Sequence, residues 1–411
     1  LYYLIGIFFC GNYFFWLVPG APFGPARDAG LLLILLGLAY RLFLRKDNID
    51  VFLNSISFLL LLYFVLVAIQ VPLASINYNQ TIMDGILAVR HDFYFLSFFL
   101  FLLMFKTLDD FRAVMNVLSW LALLCVALGL INYFGPTILD NGFVGKIRMR
   151  GGINQPAFPG MTLITMMCLW NVARWFSSNS GLKTINRDRI FSLLFIAVHV
   201  FVQARFRMLA LVLAIVWPLV LQGNVKRLAV FGLLGGLGTL ILQVTMETNI
   251  LLEIFLSGAQ DVADNSGTAD DRLVQLEVDL WVFNQYPFIG GGASAIRIHD
   301  GLSESVMSIL RRADMGYTHW LKFYGITGMT WLLLFFISMQ SLIRGGIKGE
   351  WQNHLDVILF ARMFFAYLLV SFITMNNLMF AHGIITVCML CAFLVRSNQP
   401  DFYPKKASEK K

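Results

Sequence analysis

Phe58-Leu59-Leu60-Leu61-Leu62-Tyr63-Phe64-Val65-Leu66-Val67-Ala68-Ile69 contains no charged residue, no glycine and no proline. It lies inside an apolar run at 53–72. About 20 residues of α-helix rise about 30 Å, the thickness of the hydrocarbon core of a bilayer. A membrane-spanning helix is expected there. Working outward on the same criterion, runs at 1–18, 29–44, 84–105, 112–132, 157–174, 190–203, 207–222, 227–243, 318–343, 354–374 and 377–396 join it. The expected fold class is all-α, a polytopic membrane protein with about 12 transmembrane helices. The turn between 190–203 and 207–222 is very short, and runs of this kind also fit re-entrant segments.

Composition points the same way. The chain has 411 residues, 58% of them hydrophobic and 13% charged. A soluble globular protein carries about twice that charge. The chain opens in Leu1-Tyr2-Tyr3-Leu4-Ile5, without a basic n-region or a small-residue cleavage site, so no cleavable signal peptide is expected. Cys10, Cys125, Cys168, Cys388 and Cys391 all fall in apolar runs, which argues against a disulfide framework. Cys388 and Cys391 form a C-x-x-C inside one such run, where thiols are buried and unactivated. The net charge of +7 is spread over loops with no aromatic-basic platform, so nucleic acid is not an expected partner.

Loop charge sets the expected orientation. One set of alternate loops carries Arg41, Arg45 and Lys46; Lys106 and Arg112; Arg174, Lys183, Arg187 and Arg189; Lys226 and Arg227; Arg344 and Lys348. With the basic tail at 398–411, that set is expected to be cytoplasmic, and both termini with it. The loops at 73–83 and 375–376 on the other side carry no Lys or Arg. A single membrane domain, 1–411, is expected, with one large periplasmic loop at 244–317. Within that loop Met246–Leu256, Asp270–Tyr286 and Gly301–Arg312 read as short helices. Leu273, Leu276, Leu280, Trp281 and Phe283 give the middle helix an apolar side, suited to packing on the bundle or lying at the bilayer interface.

Three outer segments break the charge rule. Lys146, Arg148 and Arg150 lie in 133–156; Arg205 and Arg207 in the turn at 203–207; and Arg272, Arg297, Arg311 and Arg312 in 244–317. Guanidinium groups held at a membrane face suit an anion, first a phosphate or diphosphate, which their fork binds through two parallel hydrogen bonds.

Three stretches, in order, resemble the O-antigen polymerase and O-antigen ligase superfamily. Ala204-Arg205-Phe206-Arg207-Met208-Leu209-Ala210-Leu211 is similar to its arginine followed by a small, leucine-rich helix, with Arg205 at the motif position. Gly267-Thr268-Ala269-Asp270-Asp271-Arg272-Leu273, then Trp281, then Pro287-Phe288-Ile289-Gly290-Gly291-Gly292, resembles its G-R-x-x-x-W … N-P-x-x-G-x-G pattern. Asp314-Met315-Gly316-Tyr317 through Leu321-Lys322-Phe323-Tyr324-Gly325-Ile326-Thr327-Gly328 is similar to the lead-in to the span after the large loop. The resemblance covers about residues 140–345. It implies a glycosyltransferase of the GT-C kind, in the inner membrane, with a periplasmic site. Such an enzyme takes a glycan from polyprenyl (undecaprenyl) diphosphate and joins it to an acceptor glycolipid with inversion, using neither a metal nor a cofactor. A chain-length regulator protein is an implied partner of the polymerase form. Ligases of the superfamily carry His-Asn eleven residues before the glycine matching Gly325; here that position is Asp314. This favours a polymerase of lipid-linked repeat units over a ligase acting on lipid A core.

Glycosyl transfer from a diphosphate carrier needs charge stabilisation for the leaving group and a base for the acceptor hydroxyl. Arg205 and Arg272 are the first candidates for the diphosphate, then Arg207 and Arg150, with Arg311 or Arg312 completing the cluster. The plain alternative for each is a solvated loop charge or a head-group contact, and Asp270 and Asp271 offer Arg272 local ion pairs. His319 and Asp314 are the rival bases. Arg90-His91-Asp92 sits in an apolar run, either lining a cavity or pairing between helices, for example Asp92 with Arg362. Lys322 is expected to snorkel to the interface. Gly290-Gly291-Gly292 fits close backbone approach to a ligand or a hinge. A transporter would place its charges near the midplane, often with inverted repeats, and that pattern is lacking here. A non-catalytic assembly protein is the remaining alternative.

Overall fold

The computed structural model describes residues 2–11, 23–135, 148–150, 153–155, 158–177, 186–202, 205–221, 229, 232, 267–294, 316–348, 351, 354–373, 377–378, 380–399 and 402. In chain order the helices are α1 (Tyr2–Gly11), α2 (Phe23–Ala39), α3 (Ser55–Tyr78), α4 (Ile82–Val89), α5 (Ser97–Met104), α6 (Leu108–Phe134), α7 (Met161–Ser177), α8 (Arg187–Val202), α9 (Arg205–Leu221), α10 (Gly267–Gln285), α11 (Gly316–Lys348), α12 (Leu355–Ser371) and α13 (Ala381–Ser397). Arg148–Arg150 and Ile153–Gln155 pair as a short antiparallel ribbon.

Local chemistry sets the helix starts. The side chain of Asn54 accepts from the Ser57 amide at the head of α3. Thr107 and Asp110 close a capping box at the head of α6. α4 ends at Arg90, and after a turn the chain resumes as a 3₁₀ segment, Asp92–Leu96, leading into α5. The two halves meet at a 45° bend.

Among the described residues three helices, α3, α6 and α11, are long and apolar enough to cross a membrane, or up to four if the bent pair is one span. This overturns the expectation of about 12 spans. Length and burial explain the difference. α2, α7, α9, α12 and α13 have 17 residues each. That is about 26 Å of rise, short of the ~30 Å hydrocarbon core. α7 and α13 are buried on almost every side, so their apolar residues form protein core. A helix that is apolar all round serves equally as a core helix, and a hydrophobic run alone does not separate the two. The run at 227–243 lies outside the described residues except at two positions. The apolar, partly buried helices that remain are consistent with association with a membrane.

α12 spans the distance between two chemically different ends. At its start Asp356 accepts from Arg112 at 3.0 Å. Near this end of α6, Asp47 binds both Arg41, at 2.7 Å, and Lys106, at 3.2 Å. Eleven residues later, about 16 Å along the axis, Tyr367 lies beside Arg207. Leu369 takes the Tyr317 hydroxyl at 3.0 Å. The last turn of α12 therefore joins the starts of α9 and α11.

Three local expectations are corrected. Leu273, Leu280 and Trp281 of α10 are exposed, and the buried residues of that helix are Gln275, Asp279 and Val282, one i, i+4, i+7 stripe. Of the two settings expected for the apolar side, packing on the bundle does not hold for Leu273, Leu280 and Trp281; the polar stripe packs there, because α11 offers it a charged partner. Lys322 does not snorkel to the interface. It is 2% exposed and binds Asp279 at 2.6 Å. Asp92 does not pair with Arg362; it accepts the Tyr63 hydroxyl at 2.6 Å, and Tyr63 contacts the Tyr324 hydroxyl at 3.0 Å.

Candidate functional site

Two of the three motif stretches meet at the start of α9. Phe206 and Arg207 sit in its first turn, and the Arg272 guanidinium of α10 lies 4.9 Å from the centre of the Phe206 ring. This is cation–π distance. Arg205 opens the same helix. The free amides of that turn and the helix dipole add to the positive potential, which favours an anion. Arg205 and Arg207 are two positions apart and so leave the helix in different directions. Only the second is described at side-chain level. Of Arg150 the strand backbone alone is described, and Asp314, Arg311 and Arg312 lie outside the described residues.

Arg207 turns inward, to Tyr367 of α12. Behind it stands a buried polar network built from four helices. Tyr367 also bonds Thr165 of α7 and Ser371. The Thr165 hydroxyl is 2.8 Å from His199 Nε2 on α8. His199 Nδ1 lies 2.7 Å from the Phe195 carbonyl, an atom that only accepts, so Nδ1 carries the proton and Nε2 the lone pair. Burial, helped by the nearby Arg207 charge, pushes the His199 pKa down to about 4. The imidazole therefore stays neutral around pH 7. Asn377 donates to Ser371 at 2.7 Å and closes the network.

The second and third motif stretches also meet. α11 breaks its helical path at Gly325, where φ is +60°. The segment after α10 fills that break. Ile326 and Thr327 donate their amides to the Pro287 and Phe288 carbonyls at 2.9 and 3.0 Å, and Gly291 donates to Lys322 at 2.8 Å. From α3, Gln70 and Asn77 donate to the Ile289 and Gly291 carbonyls, both at 2.9 Å. The irregular backbone here is satisfied by protein groups. Gly290 and Gly292 have φ of +82° and +95°. A Cβ on Gly290 would strike the Phe323 carbonyl, and one on Gly325 would strike the backbone at Phe288 and Gly290. The glycine run thus brings backbone against backbone. Its role is a joint between α3, α10 and α11.

His319 is buried in the first turn of α11, its ring 4.4 Å from that of Phe323. One turn on, Lys322 meets Asp279, which also accepts from Thr318 at 2.9 Å. Burial raises the Asp279 carboxyl above its ordinary range, opposed by Lys322. Asp279 and Arg272 are seven residues apart on α10, so the ion pair lies about 10 Å along the helix from the arginine contact.

Sequence reasoning missed Tyr367, Thr165 and His199, which lie in apolar runs without a motif. The visible signal for Asp279 is a carboxylate set directly between Val278 and Leu280 on α10. Among the described residues, no group of three or more His, Cys, Asp or Glu could hold a metal ion. No family model matches the chain, and no curated protein matches it.

Proposed function

We propose that this protein is a glycosyltransferase that moves a glycan from polyprenyl diphosphate to an acceptor sugar, as an O-antigen or exopolysaccharide polymerase. The observation that carries the reading is the contact of Arg272 with Phe206, between Arg205 and Arg207. It draws arginines from two separate sequence stretches to one helix start. There they neutralise the diphosphate as charge develops on it, the need such a reaction has most. Arg207, backed by Tyr367, orients the turn, while Arg205 and Arg272 bind the phosphate oxygens. The acceptor hydroxyl loses its proton to His319 or Asp314, attacks the anomeric carbon from the face opposite the diphosphate, and expels it. The site lies on the periplasmic face of the inner membrane, both termini are cytoplasmic, and neither metal nor cofactor takes part. Gathering Arg41, Lys106 and Arg112 at the other end of the helices supports that orientation.

The test is complementation of polymerase-null and ligase-null cells, read as a glycan ladder. A ladder restored in the polymerase-null background is expected. A ladder restored only in the ligase-null background assigns the chain to the ligase reaction, with lipid A core as acceptor. Restoration in neither overturns both enzyme readings and leaves a transporter or an assembly protein.

A further inference from the structure

Two faces of α10 compete for burial. One is the stripe of Gln275, Asp279 and Val282, which packs inward; the other carries Leu273, Leu280 and Trp281, which stay exposed. Burying leucine and tryptophan is favourable, whereas taking a carboxylate out of water is costly. The face with the carboxylate packs all the same, so its partners on α11 decide the outcome. They hold both of its oxygens. Asp279 Oδ1 lies 2.6 Å from Lys322 Nζ, and Oδ2 accepts from the Thr318 hydroxyl at 2.9 Å. Thr318 and Lys322 are i and i+4 on α11 and so stand on one face. Gln275 adds a side-chain hydrogen bond to the same carboxylate. The main chain of Lys322 is fixed as well, since its carbonyl takes the Gly291 amide at 2.8 Å.

Apolar side chains of similar volume would hold two helices together as well as a buried ion pair does, or better. What the pair adds is direction: it fixes the rotation of α10 about its own axis. That rotation decides where Arg272 points. Arg272 precedes Asp279 by seven residues, about two helical turns, so both leave α10 on nearly the same side. The side that Lys322 draws inward therefore carries the Arg272 guanidinium to Phe206, 4.9 Å from the ring centre. A roll of roughly half a turn would bury Leu280 and Trp281 and turn Arg272 away from α9. We infer that Asp279 and Lys322 are positioning residues, which select the buried face of α10 and thereby aim Arg272 at the start of α9. This rests on the proposed function only for what Arg272 binds there.

The test reads the rotation of α10 and the turnover separately, on full-length protein in nanodiscs. Maleimide labels Glu277→Cys, on the exposed face, or Val282→Cys, on the buried one. With the pair intact, Glu277→Cys should react about tenfold faster or more. Asp279→Leu with Lys322→Met keeps an apolar contact and removes the direction. There the two rates should become equal or reverse, and release of polyprenyl diphosphate should slow about 100-fold, with the melting midpoint near that of the wild type. Adding Leu280→Glu makes the rival face costly to bury and should restore both the labelling order and the turnover. Should the apolar pair not fold, Asp279→Asn with Lys322→Met is read in the same way, and failure of both to fold makes the pair a folding requirement and overturns the inference. A labelling order that does not move, or that Leu280→Glu does not restore, also overturns it. A changed order with turnover intact removes the aim of Arg272 from the reaction and overturns the positioning role. A changed order in a protein whose wild type transfers no glycan upholds the aiming of α10 and sinks the transferase reading. Wild-type transfer with an unmoved order does the reverse.

Discussion

Lys322 and Asp279 form an ion pair at 2.6 Å with neither side chain reaching solvent. The pair is the main polar bond between α10 and α11, and so between two of the motif stretches. Buried pairs are costly to break, because the partner left behind keeps an uncompensated charge. Asp279→Ala and Lys322→Met are each expected to lower stability by about 3–5 kcal/mol, read as thermal midpoints in detergent. The double variant Asp279→Leu with Lys322→Met should recover most of that loss. A double variant as unstable as the worse single one contradicts this account.

Gly325 and Gly290 meet backbone to backbone, both at positive φ. Alanine at either position forces a Cβ into main-chain atoms that cannot turn aside. Each substitution should cost roughly 2–3 kcal/mol or more, since strain adds to overpacking. Gly345→Ala is the control: its Cβ would meet only the end of the Asn398 side chain. Equal midpoints for all three variants would remove the glycine joint from the account.

Tyr367→Phe keeps the ring and deletes the hydroxyl that Arg207 and Thr165 share. If Arg207 sets the α9 turn for diphosphate binding, turnover should fall about 10–100-fold, the range for a small misplacement at a reacting centre. The loss should appear in kcat as well as in KM, with the thermal midpoint within a few degrees of wild type. An unchanged kcat would make the network purely structural.

His199 gives the fold a pH dependence whose sign is fixed. Its pKa is near 6.5 when unfolded and is pushed down to about 4 in the folded protein. Between these values the unfolded state binds more protons. Stability contributed by the neutral ring is full above pH 6.5 and is lost as pH falls toward 4. The loss amounts to roughly 3 kcal/mol at most. Melting curves from pH 7.5 to 4.5 should show the wild type weakening more steeply than His199→Gln. Parallel curves would count against a buried neutral imidazole.

Helix positions were largely legible in the sequence, and their environment was not. Apolar runs located α3, α6 and α11, and the reading of Asp270–Tyr286 as a helix matches Gly267–Gln285. The same criterion over-counted spans, since α7 and α13 bury their apolar residues against protein rather than lipid. Lys322 read as a snorkelling lysine because its partner lies 43 positions earlier, on another helix. For Asp92 the sequence offers Arg362 as one example of an interhelical partner, yet a tyrosine hydroxyl satisfies it, which hydropathy cannot register. Loop charge singles out Arg205, Arg207 and Arg272, and the structure brings Arg272 against Phe206 in the first turn of α9. The buried network of Tyr367, Thr165 and His199 was not legible, because each residue is ordinary in its own helix and acquires a role only through packing.

In the proposed reaction Arg205 and Arg272 bind a diphosphate by their forks during glycosyl transfer. The most direct measurement is release of polyprenyl diphosphate from a synthetic polyprenyl-diphosphate-linked repeat unit by purified full-length protein in nanodiscs. Wild type should release it with matching chain growth. Arg205→Lys and Arg272→Lys, which keep the charge and lose the fork, should each slow turnover about 100-fold or more. No release by wild type, or full turnover with both lysine variants, would contradict the claim.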